Sequence, residues 1–109
     1  MIRNKTKNTL VATNFSRKKG LEKVLGLIGK KNAQAIVFTT RFGIHTFFLR
    51  FCIDVIILNK DNKIVFMKKN LKPNRIYPWN PVYDLVIELP SGSIKKSKTQ
   101  IGDIIEINL

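Results

Sequence analysis

The sequence predicts a mainly β fold: a small antiparallel β-sandwich or barrel-like domain with one short N-terminal helix. Three observations carry that expectation. Apolar and β-branched runs recur at 35–40, 53–59, 63–69, 83–89 and 104–109, each the length of a strand. Asn59, Lys60, Asp61 and Asn62 separate two of these runs with residues that tolerate positive φ, which makes 53–69 a hairpin. Helical spacing appears in one place only, where Leu21, Val24, Leu25 and Ile28 follow Ser16.

Taken in order, residues 1–7 carry Arg3, Lys5 and Lys7 and read as a flexible basic start. The β-branched stretch 9–15 reads as a strand feeding a helix over 16–29, with Ser16 as N-cap and Gly29 as a left-handed C-terminal cap. The five β runs follow. Pro73, Pro78 and Pro81 exclude a regular helix or a central strand between 70 and 82, so that segment reads as an ordered loop anchored by Trp79. Gly102 and Asp103 form a turn into the last strand, with Asp103 bonding nearby N–H groups. All 109 residues fit one domain, 1–109, with no repeat and no low-complexity tract.

Twenty Lys and Arg against seven Asp and Glu give a net charge of +13, which favours anionic partners. The excess is concentrated: nine cations face one acid in 1–31, and six face one acid in 60–75. A codon bias toward A and T would enrich Lys, Ile and Asn together, and these make up 40 of the 109 residues, so composition alone explains the charge as well. One Cys and one His exclude an intrachain disulfide and a structural zinc centre, and no cofactor motif occurs. The longest aliphatic run, 55–58, is far short of a membrane span, and no secretion signal precedes it, so a cytoplasmic location is expected.

The string from Gly43 through His45, Arg50 and Asp54 to Asp61, followed by Lys63-Ile64-Val65, resembles domain-of-unknown-function family 192, small prokaryotic proteins without an assigned activity. Leu71-Lys72-Pro73 with Arg75 is a second similar block. Val86-Ile87-Glu88-Leu89-Pro90-Ser91-Gly92-Ser93, followed by Ile101-Gly102-Asp103, is a third. The blocks keep the family's order and, with the segment around Gly20-Leu21, span residues 8 to 108. Leu49 stands where the family usually has Met, Cys52 where it has Pro, Asn62 where it has Gly and Ser91 where it has Ala. The resemblance implies a mainly β fold with a short helix near the start, and it implies no reaction.

His45, Arg50, Asp54 and Glu88, with Trp79 or Tyr83 as a wall, are the candidate ligand-binding residues, Arg50 offering a bidentate fork to a carboxylate or phosphate. The competing reading is an ion pair that fixes strand register, with Glu88 as the partner of Arg50. As base and nucleophile the chain offers His45 and Cys52, seven residues apart, and strand alternation sets them on opposite faces, so no catalytic residues are assigned. The expectation is a non-enzymatic binding or accessory module for a protein or a small anionic ligand. The alternative is weak nucleic-acid binding through the basic stretches 1–31 and 60–75, using Lys63, Lys68, Lys69, Lys72 and Arg75, with the aromatics assigned to the core rather than to base stacking.

Overall fold

A computed structural model describes residues 1–18 and 34–108. Its elements in chain order are β1 (Ile2–Asn4), β2 (Thr9–Ala12), β3 (Ser16–Lys18), β4 (Ile36–Thr39), β5 (Gly43–His45), β6 (Ile53–Leu58), β7 (Ile64–Leu71), β8 (Ile76–Pro78), β9 (Leu85–Pro90), a single helical turn α1 (Ser93–Lys96) and β10 (Ile105–Ile107). The mainly β expectation holds. Among the described residues three sheets form: β10-β1-β2, the five-stranded β3-β4-β9-β6-β7, and the two-stranded ribbon β5-β8.

Strand β6 explains the layering. All six of its residues are buried, because the central sheet is covered on both faces. Ile56 and Leu58 join Ile87 and Leu89 of β9, Ile2 of β1, Ile94 of α1 and Ile105 of β10 in one core. Ile53, Val55 and Ile57 face the other way and pack with Val86, Ile36, Phe38 and Trp79, roofed by Ile44 and Tyr77 of the ribbon. Alternation with period two thus divides the apolar residues of one strand between two cores. The long continuous run that marks a doubly covered strand is visible in the sequence as Val55-Ile56-Ile57-Leu58.

The hairpin at 53–69 is present as β6 and β7, antiparallel, with Val55 opposite Lys68 and Leu58 opposite Ile64. Its turn is held by Asn59, whose Oδ1 accepts from Asp61 N (2.9 Å) and Lys63 N (3.0 Å), while Asn62 takes φ 60°. Asn therefore supplies the left-handed conformation that the family's Gly would supply. The segment expected as a loop over 70–82 begins with the last two residues of β7, Asn70 and Leu71, and then holds β8, which stays in a two-stranded ribbon where its proline interrupts no central ladder.

Two expectations change. The helix start expected at Ser16 does not form: Ser16–Lys18 is a strand pairing in parallel with β4, and the rest of the expected helix, residues 19–29, lies outside the described residues. Among the described residues one helical turn is present, near the C-terminal end, at Ser93–Lys96. Nor is 1–7 a loose start. β1 is the middle strand of its sheet, Ile2 is buried, and buried Asn4 donates to Thr99 Oγ1 (3.0 Å) and Asp103 Oδ2 (2.8 Å). Lys7 Nζ adds an ion pair to Asp103 at 3.0 Å. The positive charges concealed a strand whose alternate residues, Ile2 and Asn4, point inward. Asp103 also accepts from Gln100 N (2.9 Å). Burial pushes its carboxyl pKa up, but the bonds from Asn4, Gln100 N and Lys7 outweigh burial and hold it below the usual carboxylate value.

Candidate functional site

The sequence candidates do not gather in one pocket. Asp54 pairs with Leu89 in the β6–β9 ladder, and Val55 pairs with Glu88, so the Asp54 and Glu88 side chains leave opposite faces of the central sheet. Asp54 is buried, and its oxygens accept three backbone N–H groups: Asn70 (3.0 Å), Gly92 (3.1 Å) and Ile94 (2.9 Å). That carboxylate ties the end of β7 to the turn that starts α1. Gly92 caps α1 at φ 96° with no side-chain cap of its own, so Asp54 supplies from β6 what a local Ser or Asp usually supplies.

Glu88 is half-buried on β9, flanked across the strands by Ile36 and Val55. Burial pushes its carboxyl up to about 7. Among the described residues no ion pair joins Arg50 to Glu88 or Asp54, so the register-fixing pair is not formed. Arg50 is exposed in the loop between β5 and β6. His45 is exposed at the end of β5, its ring stacked on Phe47 at 4.9 Å, with Nδ1 accepting from Phe47 N at 3.3 Å. Trp79 is buried, and its Nε1 donates to Tyr83 O at 2.7 Å, which makes it a loop anchor. The extended alternation assumed from 45 to 54 fails because strand structure stops at His45 and resumes at Ile53.

The chain does bring cations together elsewhere. A groove of about 450 Å³ is lined by Lys68, Asn70, Leu71, Lys72, Arg75, Ile76 and Tyr77, with no carboxylate among them. Three sequence features build it. Asn70 and Asn74 adopt positive φ (53° and 60°) and bend the chain out of β7 and back into β8. Asp54 fixes Asn70 from below. Buried Thr46 fixes the far wall: its Oγ1 donates to Lys72 O (2.6 Å) and accepts from Arg75 N (2.9 Å), and its own N donates to Arg75 O (2.9 Å). Arg75 Nη1 folds over the turn toward Pro73 O and Asn74 O. Burial raises the Tyr77 phenol above its usual value.

Of the cations named for nucleic-acid contact, Lys68, Lys72 and Arg75 line this groove, and Lys69 does not. Lys63 lies at the other end of the hairpin, bridged to Ile104. One expectation about aromatics is corrected. Phe42, Phe47 and Phe48 are not in the core; they are 71%, 38% and 76% exposed, and Phe42 and Phe48 hold positive φ of 73° and 69°. Hydrophobicity alone assigned them inside, and nothing in the sequence marks that backbone conformation.

The model of the DUF192 family, described as an uncharacterised ACR, matches residues 3–107. The chain belongs to that family. A UPF0127 protein of Pyrococcus horikoshii is 35% identical over 97% of each chain, and one of Pyrococcus furiosus is 32% identical over 81% of this chain and 80% of its own. A crystal structure of a protein of unknown function from Novosphingobium aromaticivorans has a similar fold, with TM-score 0.73, 16% identity, and coverage of 86% of this chain and 73% of that one. In this DUF192 protein the family-like blocks touch one another. Asp54 of the first block receives N–H groups from Asn70, beside the second, and from Gly92, in the third. Thr46 of the first block holds Lys72 and Arg75 of the second. The residues that carry the family resemblance therefore build the walls of the groove.

Proposed function

We propose that this DUF192 protein is a non-catalytic binding module that takes an anionic ligand in the groove between the end of β7 and the β5–β8 ribbon. One observation carries the reading: three cations, Lys68, Lys72 and Arg75, line one concavity that contains no acid. A carboxylate or phosphate entering it would meet Lys68 and Lys72 as point charges and Arg75 as a planar fork, with the Asn70 amide as a neutral donor. His45 is paired across the ribbon with Ile76, a groove residue, and Arg50 lies in the loop that follows β5. Asp54 acts as a positioning residue through Asn70, and Trp79 anchors the ribbon.

A groove with a built shape differs from diffuse attraction to a +13 protein in how it responds to matched charge changes. Titration calorimetry with inorganic pyrophosphate at physiological salt tests this. The paired change Lys72→Glu with Arg75→Glu should abolish binding, while Lys95→Glu with Lys96→Glu on α1, an equal change in net charge, should leave it within about twofold. Equal losses in both pairs, or no binding by the unaltered protein, would overturn the reading.

A further inference from the structure

Thr46 does more than shape the groove. It opens the turn 46–50, its carbonyl accepting from Leu49 N (3.3 Å) and Asn74 N (3.0 Å), so the same residue welds the Phe47–Phe48 turn to the cationic turn 72–75. Phe48 stands 76% exposed at the tip. Ile76, opposite His45 in the ribbon, is 68% exposed and also lines the groove. Ile44 and Tyr77, the alternate pair of the ribbon, point into the core, so Ile76 and His45 necessarily face out. The result is a projecting apolar tip beside Lys68, Lys72 and Arg75, with Arg50 in the same loop as Phe48.

We propose that this tip docks on the surface of an anionic lipid bilayer, Phe48 and Ile76 entering the boundary between headgroups and acyl chains while the groove cations meet lipid phosphates. The inference rests on the groove's affinity for phosphate and names its source. Charge complementarity selects the occupant. A second copy of the chain would bring like charges together, whereas an anionic leaflet attracts each basic residue near it. A single-stranded nucleic acid would need a series of open ring faces for successive bases, but of the tip residues only Phe48 offers one, since Phe47 has one face covered by His45 and Ile76 cannot stack on a base. Hydrocarbon accepts Phe and Ile alike.

Sedimentation of the full chain with phosphatidylcholine vesicles, with and without phosphatidylglycerol, tests this. Binding should require phosphatidylglycerol. Phe48→Asn, which keeps a residue tolerant of positive φ at an exposed position, should weaken vesicle binding about tenfold and leave the pyrophosphate titration unchanged. Lys72→Gln and Arg75→Gln should each cost roughly fivefold on vesicles, and Lys95→Gln and Lys96→Gln on α1 should cost far less. Pyrophosphate binding without vesicle binding overturns the bilayer inference alone. Vesicle binding indifferent to Phe48→Asn also overturns it, as does tighter binding of a single-stranded oligonucleotide that Phe48→Asn abolishes. Failure of pyrophosphate to bind, with vesicle binding sensitive to Phe48→Asn, overturns the groove reading instead.

Discussion

Replacing Asp54 by Ala should destabilise the protein by about 3 kcal/mol, and the figure follows from which donors lose their acceptor. The carboxylate, itself 1% exposed, accepts from Asn70, Gly92 and Ile94 at 2.9–3.1 Å. The Ile94 N–H is buried and has no route to water, so losing its acceptor carries the full cost, about 1–3 kcal/mol. Asn70 and Gly92 lie in exposed positions, so water can replace part of what is lost there. Summing three donors without additivity gives about 3 kcal/mol, a large share of the ~5–15 kcal/mol a domain of this kind possesses. Asp54→Asn should cost less, about 1–2 kcal/mol. Its remaining oxygen can serve Gly92 and Ile94 while its amide faces Asn70 N–H. Urea denaturation at neutral pH reads both, as a lower midpoint with unchanged slope. If Asp54 were instead a ligand-binding carboxylate held at a cost to the fold, Asp54→Ala would raise stability or leave it within about 0.5 kcal/mol, and the structural assignment would fall.

Two further predictions concern the other face of the sheet and the ribbon. The fold raises Glu88 from 4.5 to about 7, so it favours the neutral acid: the fold bears no ionisation cost below pH 4.5, a growing one between 4.5 and 7, and a constant one above. Because the side chain is only half-buried, Glu88→Gln should stabilise the protein by about 2 kcal/mol near pH 8 and by nothing near pH 4, measured as ΔG against pH; a gain independent of pH would contradict the assignment. Gly43 pairs with Pro78 at φ 147°, and a Cβ there would lie 2.7 Å from Tyr77 O and 2.8 Å from Pro78 Cα. Gly43→Ala should therefore part the ribbon, lowering stability by about 2 kcal/mol or more and weakening pyrophosphate binding; proton exchange of the Trp79 indole N–H follows the ribbon's opening.

The parts of the fold legible in sequence are those fixed by local chemistry. Asn59 and Asn62 announce their turn, the apolar run around β6 announces a doubly covered strand, and Pro73, Pro78 and Pro81 keep the chain after Leu71 out of the central sheet until β9. What escaped reading depends on partners distant in the chain. Asp54 looks like a site residue in a strand, and its role appears only when Asn70, Gly92 and Ile94 are brought to it. Asn4 and Asp103, ninety-nine residues apart, turn a basic start into a central strand. Arg50 and Glu88 were paired on the expectation that a carboxylate in an apolar strand finds a cation; Glu88 instead rises in pKa toward the neutral form. The groove was half visible, since Lys68, Lys72 and Arg75 were singled out as charge. Their convergence depends on Thr46, whose type and place carry no sequence signal of that kind.

Backbone amide chemical-shift mapping of the full chain titrated with pyrophosphate at physiological salt tests the central claim most directly. Saturable shifts confined to 68–77 and to Thr46 and its turn are the predicted result. Shifts spread over every lysine-bearing surface, the exposed lysines of α1 included, would make the +13 charge a diffuse property of the chain and contradict a built anion groove.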